Sequence, residues 1–418
     1  MSTEPNQRKY DIIVFGATGF TGELTCEYLV EINDKELRWA IAGRSRAKLQ
    51  KTRERLAAID ESCQSLDLLI ADSGDLESLE NAVRQARVVI STVGPFMKYG
   101  TLLVEACVRQ KTHYVDITGE YPWVSQMIDR FHGEAVKNNV MIVPCCGFDS
   151  VPSDMGTFMV CDYMQSRHNL STADVKMSLT NIVGGFSGGT IQSAVGMLAD
   201  KSLSASKSTD PYLLSPIRGP DQKKLPWMNR DPDFGRRWQG CFLMSVVNEK
   251  VVRRSWGLYT ERGHSYGQAF KYRETWTLSF IPALIMTMAM LTVAPLAAVA
   301  LKIPAIASLA SRLLPGSGAG PDREQRMKGR FEMQFVATAE TEPYDEPVRV
   351  RGVVKGFRDP GYGDTCLMVA ESALCIVKSL DELPGKEGGI LTPASAFGHT
   401  LLNRLRANNR MVFEVKDM

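Results

Sequence analysis

The sequence predicts an α/β fold: a doubly wound parallel sheet, then an α+β second domain with a mixed or antiparallel sheet and an apolar helical insert. Three observations predict it. The apolar run Ile12-Ile13-Val14-Phe15 leads directly into a turn with glycines at 16, 19 and 22. Short apolar runs then recur up to Pro144, each followed by a helical pattern, in units of about 25 to 30 residues. Beyond Val175 the texture changes to runs rich in β-branched and aromatic residues.

Residues 10–22 read as a strand, a turn and the start of a helix over 23–32. A continuous apolar run suits a parallel strand covered on both faces. Gly16 allows the tight turn, Gly19 lets a backbone approach a pyrophosphate, and Gly22 lets the helix pack on the strand. The helix N-terminus then presents free N–H groups and the positive end of its dipole to phosphates. Thr18, Phe20 and Thr21 lie between these glycines. The spacing departs from G-x-G-x-x-G, and glycine-rich turns also serve as plain connections. The strand before and the helix after favour a dinucleotide site in a Rossmann-type domain.

A second strand at 38–42 ends in Gly43-Arg44-Ser45. An acidic residue here would hold a ribose 2′-hydroxyl. Arg44 and Ser45 instead suit a 2′-phosphate, so the reading is NADP(H) over NAD(H), with a capped exposed turn as the plain alternative. A third strand at 66–71 precedes Asp72, which either borders the adenine or closes a turn. A helix follows at 75–85. The fourth strand, 87–92, runs into Val93-Gly94-Pro95-Phe96, a loop expected near the nicotinamide ribose, and a helix at 100–109. The fifth strand, 112–117, ends in Thr118-Gly119-Glu120 before a helix at 121–138. The sixth strand, 140–144, leads to 145–154 on the carboxyl edge, where ligands bind in such sheets. Ser150 or Ser153 is expected to cap the next helix, reaching about Met164. Tyr114, Asp116, Cys146 and Asp149 are the catalytic candidates along this edge. The competing roles are core packing for Tyr114 and Cys146, and capping for the two aspartates. Gly119, Gly147 and Pro152 are expected to shape the nicotinamide pocket. Tyr114 is followed four residues on by Thr118, so a Tyr-x-x-x-Lys dyad is absent there.

Strands are expected at 175–180, 241–247, 251–256, 268–278, 331–338 and 348–355, with an amphipathic helix at 365–378 covering that sheet. The glycine turn at 184–190, before a helix from Ile191, is either a second cradle or a flexible connection. Residues 206–239 read as a surface excursion that would serve as a lid. From Thr275 to Leu301 no residue is charged, and the apolar character continues to Leu314 with only Lys302 and Arg312 interrupting. The insert at 278–314 is expected to contact a membrane or lipid-droplet surface, with a buried element or an oligomer interface, such as a homodimer, as alternatives. A bilayer crossing would separate parts of the second sheet. Residues 316–321 read as a linker. The domains are thus a lead-in (1–9), a dinucleotide-binding domain (10–154), a substrate domain (155–365) and C-terminal elements packing back (366–418).

The 49 Lys and Arg nearly balance the 47 Asp and Glu, so no nucleic-acid surface is expected. Nine cysteines without C-x-x-C pairs suit reduced thiols in an intracellular, non-secreted protein. The five histidines are scattered, and no metal is expected.

The stretches GATGFTG (16–22), AGRS (42–45), TVGPF (92–96), HYVDITGE (113–120), CGFDSVPSD (146–154), SGGT (187–190) and GGILTPASAFG (388–398) span nearly the whole chain. Together they make the sequence resemble the saccharopine dehydrogenase-like oxidoreductases, in the branch that includes trans-acting enoyl reductases and lipid-droplet-associated members. The resemblance implies a Rossmann domain completed by C-terminal elements, an inserted substrate domain and a pyridine-nucleotide redox role. A saccharopine site would require cations arranged for several carboxylates, and none cluster near 113–154. The expected reaction is therefore NADPH-dependent enoyl reduction of a lipid or polyketide-type acyl thioester, free or carrier-bound. The alternatives are a saccharopine-like imine or amino-acid dehydrogenase and a non-catalytic NADP-binding scaffold or sensor at a lipid surface.

Overall fold

The computed structural model describes residues 8–184, 209–220, 228–301, 303, 322–342 and 345–418. The lead-in before Arg8, the glycine turn from Gly185 with the helix expected after it, and the apolar stretch from 304 with its linker lie outside them.

The first part alternates as its apolar runs predict. β1 (Tyr10–Phe15) leads to α1 (Phe20–Ile32), β2 (Trp39–Gly43) to α2 (Arg46–Ala57), and β3 (Asp67–Ile70) to α3 (Leu76–Val83). β4 (Ala86–Ser91) leads to α4 (Phe96–Tyr99) and α5 (Thr101–Arg109), β5 (His113–Asp116) to α6 (Tyr121–Lys137), and β6 (Met141–Val143) to α7 (Val151–His168). The second part contains β7 (Thr172–Val183), β8 (Asn229–Arg230), β9 (Trp238–Gly240), α8 (Ser245–Glu261), β10 (Lys271–Leu278) and α9 (Phe280–Met288). A π-helical turn, Ala289–Val293, joins α9 to α10 (Ala294–Ala300). Then follow α11 (Arg323–Lys328), β11 (Arg330–Ala339), β12 (Arg349–Gly356), α12 (Thr365–Ser379), β13 (Gly389–Ile390), α13 (Pro393–Arg406) and β14 (Met411–Asp417).

One sheet has the order β13-β6-β5-β4-β1-β2-β3, with every pair parallel. Its connections reverse direction between β1 and β4, which opens a crevice at their carboxyl ends. β1 is buried throughout. Ile12 and Val14 enter one core, Ile13 and Phe15 the other, because a strand alternates its side chains between faces. The first of these cores runs on into the second sheet through Val175, Met177 and Phe335. That sheet has the order β14-β12-β11-β7-β10-β9-β8 and is mixed: β7 and β10 are parallel, the other pairs antiparallel.

Four expectations need correction. Residues 241–247 and 251–256 are not strands; α8 occupies most of them. Val247 and Val251 enter one core, while Val252, Trp256 and Tyr259 enter the other. A helix buried on two sides loses its amphipathic period and reads as β-branched runs. The helix near 365–378 is present, but every residue from Thr365 to Val377 is buried. It lies against α1, α13, β4 and β5, so it closes a face of the parallel sheet instead of merely covering the second one. The excursion at 206–239 ends in β8, an edge strand of the second sheet, and runs into β9 beside it. Ser150 occupies the N-cap position of α7, yet makes no capping bond; its hydroxyl bonds Asn248 Oδ1 at 3.3 Å.

Buried charge at the centre of α12 is compensated. Glu371 accepts hydrogen bonds of 2.6 Å from Tyr28 Oη, Arg404 Nε and Arg410 Nη1. Removing a partner from a buried ion pair costs about 3–5 kcal/mol, so this cluster locks the C-terminal helices onto α1.

Candidate active site

The crevice begins at the turn after β1. Gly16 has φ of 89°, and a Cβ there would fall 2.5 Å from Val93 Cγ2. A Cβ on Gly22 would lie 2.1 Å from the Gly16 carbonyl oxygen. The turn, α1 and the β4 loop therefore meet at distances no side chain allows. Thr92 Oγ1 fastens them by donating to the carbonyls of Phe15 (3.2 Å) or Gly16 (3.3 Å). Gly19 is the N-cap of α1 and supplies no side-chain cap. The first-turn N–H groups of α1 are thus left for an anion. Thr18, Phe20 and Thr21 form the half-exposed rim. The Phe20 ring meets Tyr362 edge-on at 4.8 Å, which ties the rim to the second half of the chain.

At the end of β2, Arg44 is exposed and makes no hydrogen bond or ion pair among the described residues. Ser45 is the N-cap of α2, its Oγ accepting the Lys48 N–H at 3.4 Å. Arg46 and Lys48 are exposed beside it. An unpaired cation, a helix N-terminus and two further cations suit a 2′-phosphate. Asp72, at the end of β3, accepts the Gly74 N–H at 2.9 Å and so closes its own turn. The uncapped cradle and the free Arg44 together fit a phosphorylated dinucleotide.

The loop after β4 is held from β5. Glu120 accepts the N–H groups of Phe96 (3.0 Å) and Met97 (2.8 Å), which caps α4 and sets Val93, Gly94, Pro95 and Phe96 along the crevice. Phe96 packs on Trp123, ring centroids 5.5 Å apart. Sequence reasoning placed Glu120 only at a strand end. Its signal was an acid at the end of the fifth strand's loop, immediately before the next helix, together with a helix start after Pro95 that has no capping residue of its own.

Of the four catalytic candidates, three are bonded and fully buried. Tyr114 Oη donates to Asp116 Oδ2 at 2.9 Å. Asp116 Oδ1 accepts from Thr118 N–H (2.9 Å) and Cys145 N–H (3.0 Å), joining the ends of β5 and β6. Burial pushes its pKa up to about 7, although these donors favour the ionised form. Cys146 Sγ donates to the Val143 carbonyl at 3.3 Å, and burial raises its thiol well above the ordinary range. Asp149 differs. It is half-buried, and no hydrogen-bond partner stands beside its carboxylate among the described residues. Burial raises its pKa to about 6. Its Oδ2 lies 3.0 Å from the point a Cβ on Gly119 would occupy. Gly147 sits between Ile117 and Thr365, and the Thr365 hydroxyl accepts the Phe148 N–H at 3.0 Å.

Behind this loop runs a polar network that the sequence did not reveal. Asn248 Nδ2 donates to Ser153 Oγ (3.2 Å) and Glu274 Oε2 (3.1 Å), and Tyr272 Oη donates to Glu274 Oε1 (2.7 Å). Asp154 accepts from the Ala394 N–H at 2.8 Å and from the Ser255 hydroxyl. Burial pushes Asp154 and Glu274 up to about 7. These bonds fix α7, and hence the loop before it, to α8, β10 and α13. Pro152 is buried in the first turn of α7.

Residues 12–143 match the saccharopine dehydrogenase NADP binding domain. A Mycobacterium tuberculosis protein, provisionally named a trans-acting enoyl reductase, is 33% identical over 425 residues, covering 96% of each chain. The trans-acting enoyl reductase of Mycobacterium leprae is 31% identical over 423 residues, again covering 96% of each. The fold is similar to that of an apo saccharopine dehydrogenase (L-Glu forming) from Saccharomyces cerevisiae. The TM-score is 0.54 at 12% identity, covering 98% of this chain and 100% of that one. The chain thus belongs to the saccharopine dehydrogenase-like family that includes the trans-acting enoyl reductases, and it is an NADP-dependent oxidoreductase.

Proposed function

We propose that the protein reduces the α,β double bond of a lipid or polyketide-type acyl thioester, free or carrier-bound. The observation that carries this reading is Asp149: a titratable carboxyl at the carboxyl edge with no partner among the described residues. The relatives' name, trans-acting enoyl reductase, agrees with it. In this reading Gly16, Thr18, Gly19, Phe20, Thr21 and Gly22 hold the pyrophosphate, Arg44 and Ser45 the 2′-phosphate, and Asp72 the adenine side. Val93, Gly94, Pro95, Phe96, Gly119 and Gly147 line the nicotinamide end. NADPH, when bound, supplies the hydride that reaches the β-carbon. Asp149 carries the proton for the α-carbon and regains it from water. A pKa near 6 keeps a usable protonated fraction at neutral pH. Asp116 and the Asn248–Glu274 network hold the loop that presents it. The acyl chain is assigned to the substrate domain expected over 155–365.

The test is NADPH oxidation by the purified protein with trans-2-enoyl thioesters of short and long chain. Consumption of NADPH with formation of the saturated thioester supports the reading. Turnover only with imines of glutamate-type amino acids would replace it with the amino-acid dehydrogenase. Tight NADPH binding without oxidation by any unsaturated acyl, carbonyl or imine compound would replace it with a non-catalytic role.

A further inference from the structure

Three cations of α8 are buried: Lys250, Arg253 and Arg254. Two of them are satisfied. Arg253 pairs with Glu249 at 3.0 Å and donates to the Tyr272 carbonyl at 2.8 Å. Arg254 donates to the carbonyls of Leu214 and Ile390, which ties α8 to β13. Lys250 differs. It is 5% exposed, yet of its three ammonium protons one goes to the Val246 carbonyl at 3.1 Å, and no carboxylate pairs with it among the described residues. The acids whose charge reaches it, Glu249 and Asp210, lie in ion pairs with Arg253 and Arg218, at 3.0 and 2.9 Å. Burial lowers its pKa to about 8 against the pull of Glu249. A buried ammonium without a counter-ion is costly, so this one is a candidate to meet charge that arrives with a ligand.

Its position indicates which charge. The Lys250 Nζ lies over the Tyr121 ring, 4.6 Å from the centroid. Tyr121 directly follows the loop at the carboxyl end of β5, and its N–H closes a turn onto the Gly119 carbonyl at 3.1 Å. Gly119 is also where Asp149 stands, its Oδ2 3.0 Å from the place of a Cβ. One turn is therefore flanked by Asp149 at Gly119 and by Lys250 at Tyr121. The same helix serves both: Asn248 accepts from the hydroxyl of Ser150, next to Asp149, at 3.3 Å, and Lys250 follows two residues on. Val247 and Val251 share an apolar core with Tyr121 and Phe96. In such surroundings charge is weakly screened, so a cation acts strongly on an oxygen that turns negative.

We propose that the Lys250 ammonium donates to the substrate's thioester carbonyl oxygen, where negative charge collects during enoyl reduction; the assignment rests on the enoyl reductase reading. As the β-carbon takes up hydride, the electron pair of the double bond shifts to give an enolate with its charge on that oxygen. Lys250 donates an N–H to the oxygen and keeps its proton. The carbonyl re-forms as the α-carbon takes the proton of Asp149, which is left ionised. The test compares Lys250→Met with the unaltered protein for NADPH oxidation by a trans-2-enoyl thioester, NADPH affinity and urea midpoint. Lys250→Met lowers kcat roughly a hundred- to a thousandfold, with KM and NADPH affinity little changed. In parallel, reductive methylation by formaldehyde, read by mass spectrometry, modifies Lys250 in the unaltered protein, and the saturated thioester bound with NADP+ slows it. Full activity of Lys250→Met overturns the proposal and leaves the enoyl reading standing. A loss of activity matched by losses of NADPH affinity and urea midpoint also overturns it, and makes Lys250 a packing partner of Tyr121. No turnover by the unaltered protein removes the enoyl reading, and this assignment with it. If Lys250→Met does not fold, the labelling decides: equal methylation with and without the bound thioester overturns the proposal.

Discussion

Asp149 Oδ2 lies 3.0 Å from where a Cβ on Gly119 would stand, so the loop after β5 passes the carboxylate at a distance that favours glycine there. This carboxylate has no partner among the described residues, while its neighbour Asp116 has three donors. Asp149→Asn should therefore lower kcat roughly a hundredfold to ten-thousandfold, with little change in NADPH affinity. A proton donor must be protonated, so kcat of the unaltered enzyme should fall as pH rises through about 6. The pH–rate profile checks both; an Asp149→Asn enzyme with full activity would remove this residue from the chemistry.

Arg44 separates the two cofactors. Its guanidinium is exposed at the end of β2, with no carboxylate paired to it among the described residues. Arg44→Ala should weaken NADPH by about ten- to a hundredfold, the worth of a charge-assisted hydrogen bond, and leave NADH nearly unchanged. Fluorescence titration with both cofactors measures this. Equal losses would assign Arg44 to the turn.

Gly22 is a packing position. A methyl there would meet the Gly16 carbonyl at 2.1 Å, and a backbone atom cannot rotate away. Gly22→Ala should destabilise the fold by about 1–3 kcal/mol and weaken NADPH binding together, because α1 must shift from the turn. Urea unfolding and cofactor titration on the same sample test the coupling. A variant with unaltered stability would show that α1 yields freely.

Asp364 predicts a pH dependence of stability. It is buried, its Oδ1 has no hydrogen-bond partner among the described residues, and burial pushes its pKa up to about 8. A raised carboxyl pKa means the folded state holds a proton that the unfolded chain releases. This contribution is complete below the ordinary carboxylate range and is lost as pH rises through about 8. Asp364→Asn should flatten that part of the decline, so the variant gains on the unaltered protein at alkaline pH. Urea midpoints across about pH 4 to 9 measure the slope. Parallel slopes for both proteins would show that Asp364 does not titrate there.

Much of the parallel sheet was legible because its information is local. Ile12 to Phe15 is continuous, the glycines follow at fixed spacing, and each later strand is bounded by its own turn. The carboxyl-edge loops followed from strand order alone. The second sheet was harder. Val246-Val247 and Val251-Val252 look like strand segments, yet their helix is buried on two sides, and its polar residues Asn248, Lys250, Arg253 and Arg254 are buried too, so no exposed polar face reveals its period.

By itself the sequence determined the strand–turn–helix at Gly16, the position of Arg44 and the edge on which Asp149 stands, since each depends on residues near it in the chain. Tertiary structure alone decided which groups are bonded and which remain open. Glu120 finds Phe96 across 24 residues, Asn248 finds Glu274 across 26, and Tyr28 finds Glu371 across 343. A carboxylate's bonding and burial belong to the atoms that folding brings to it. Asp116 and Asp149 therefore read alike in sequence, while the fold surrounds one with donors and leaves the other half-buried without a partner among the described residues.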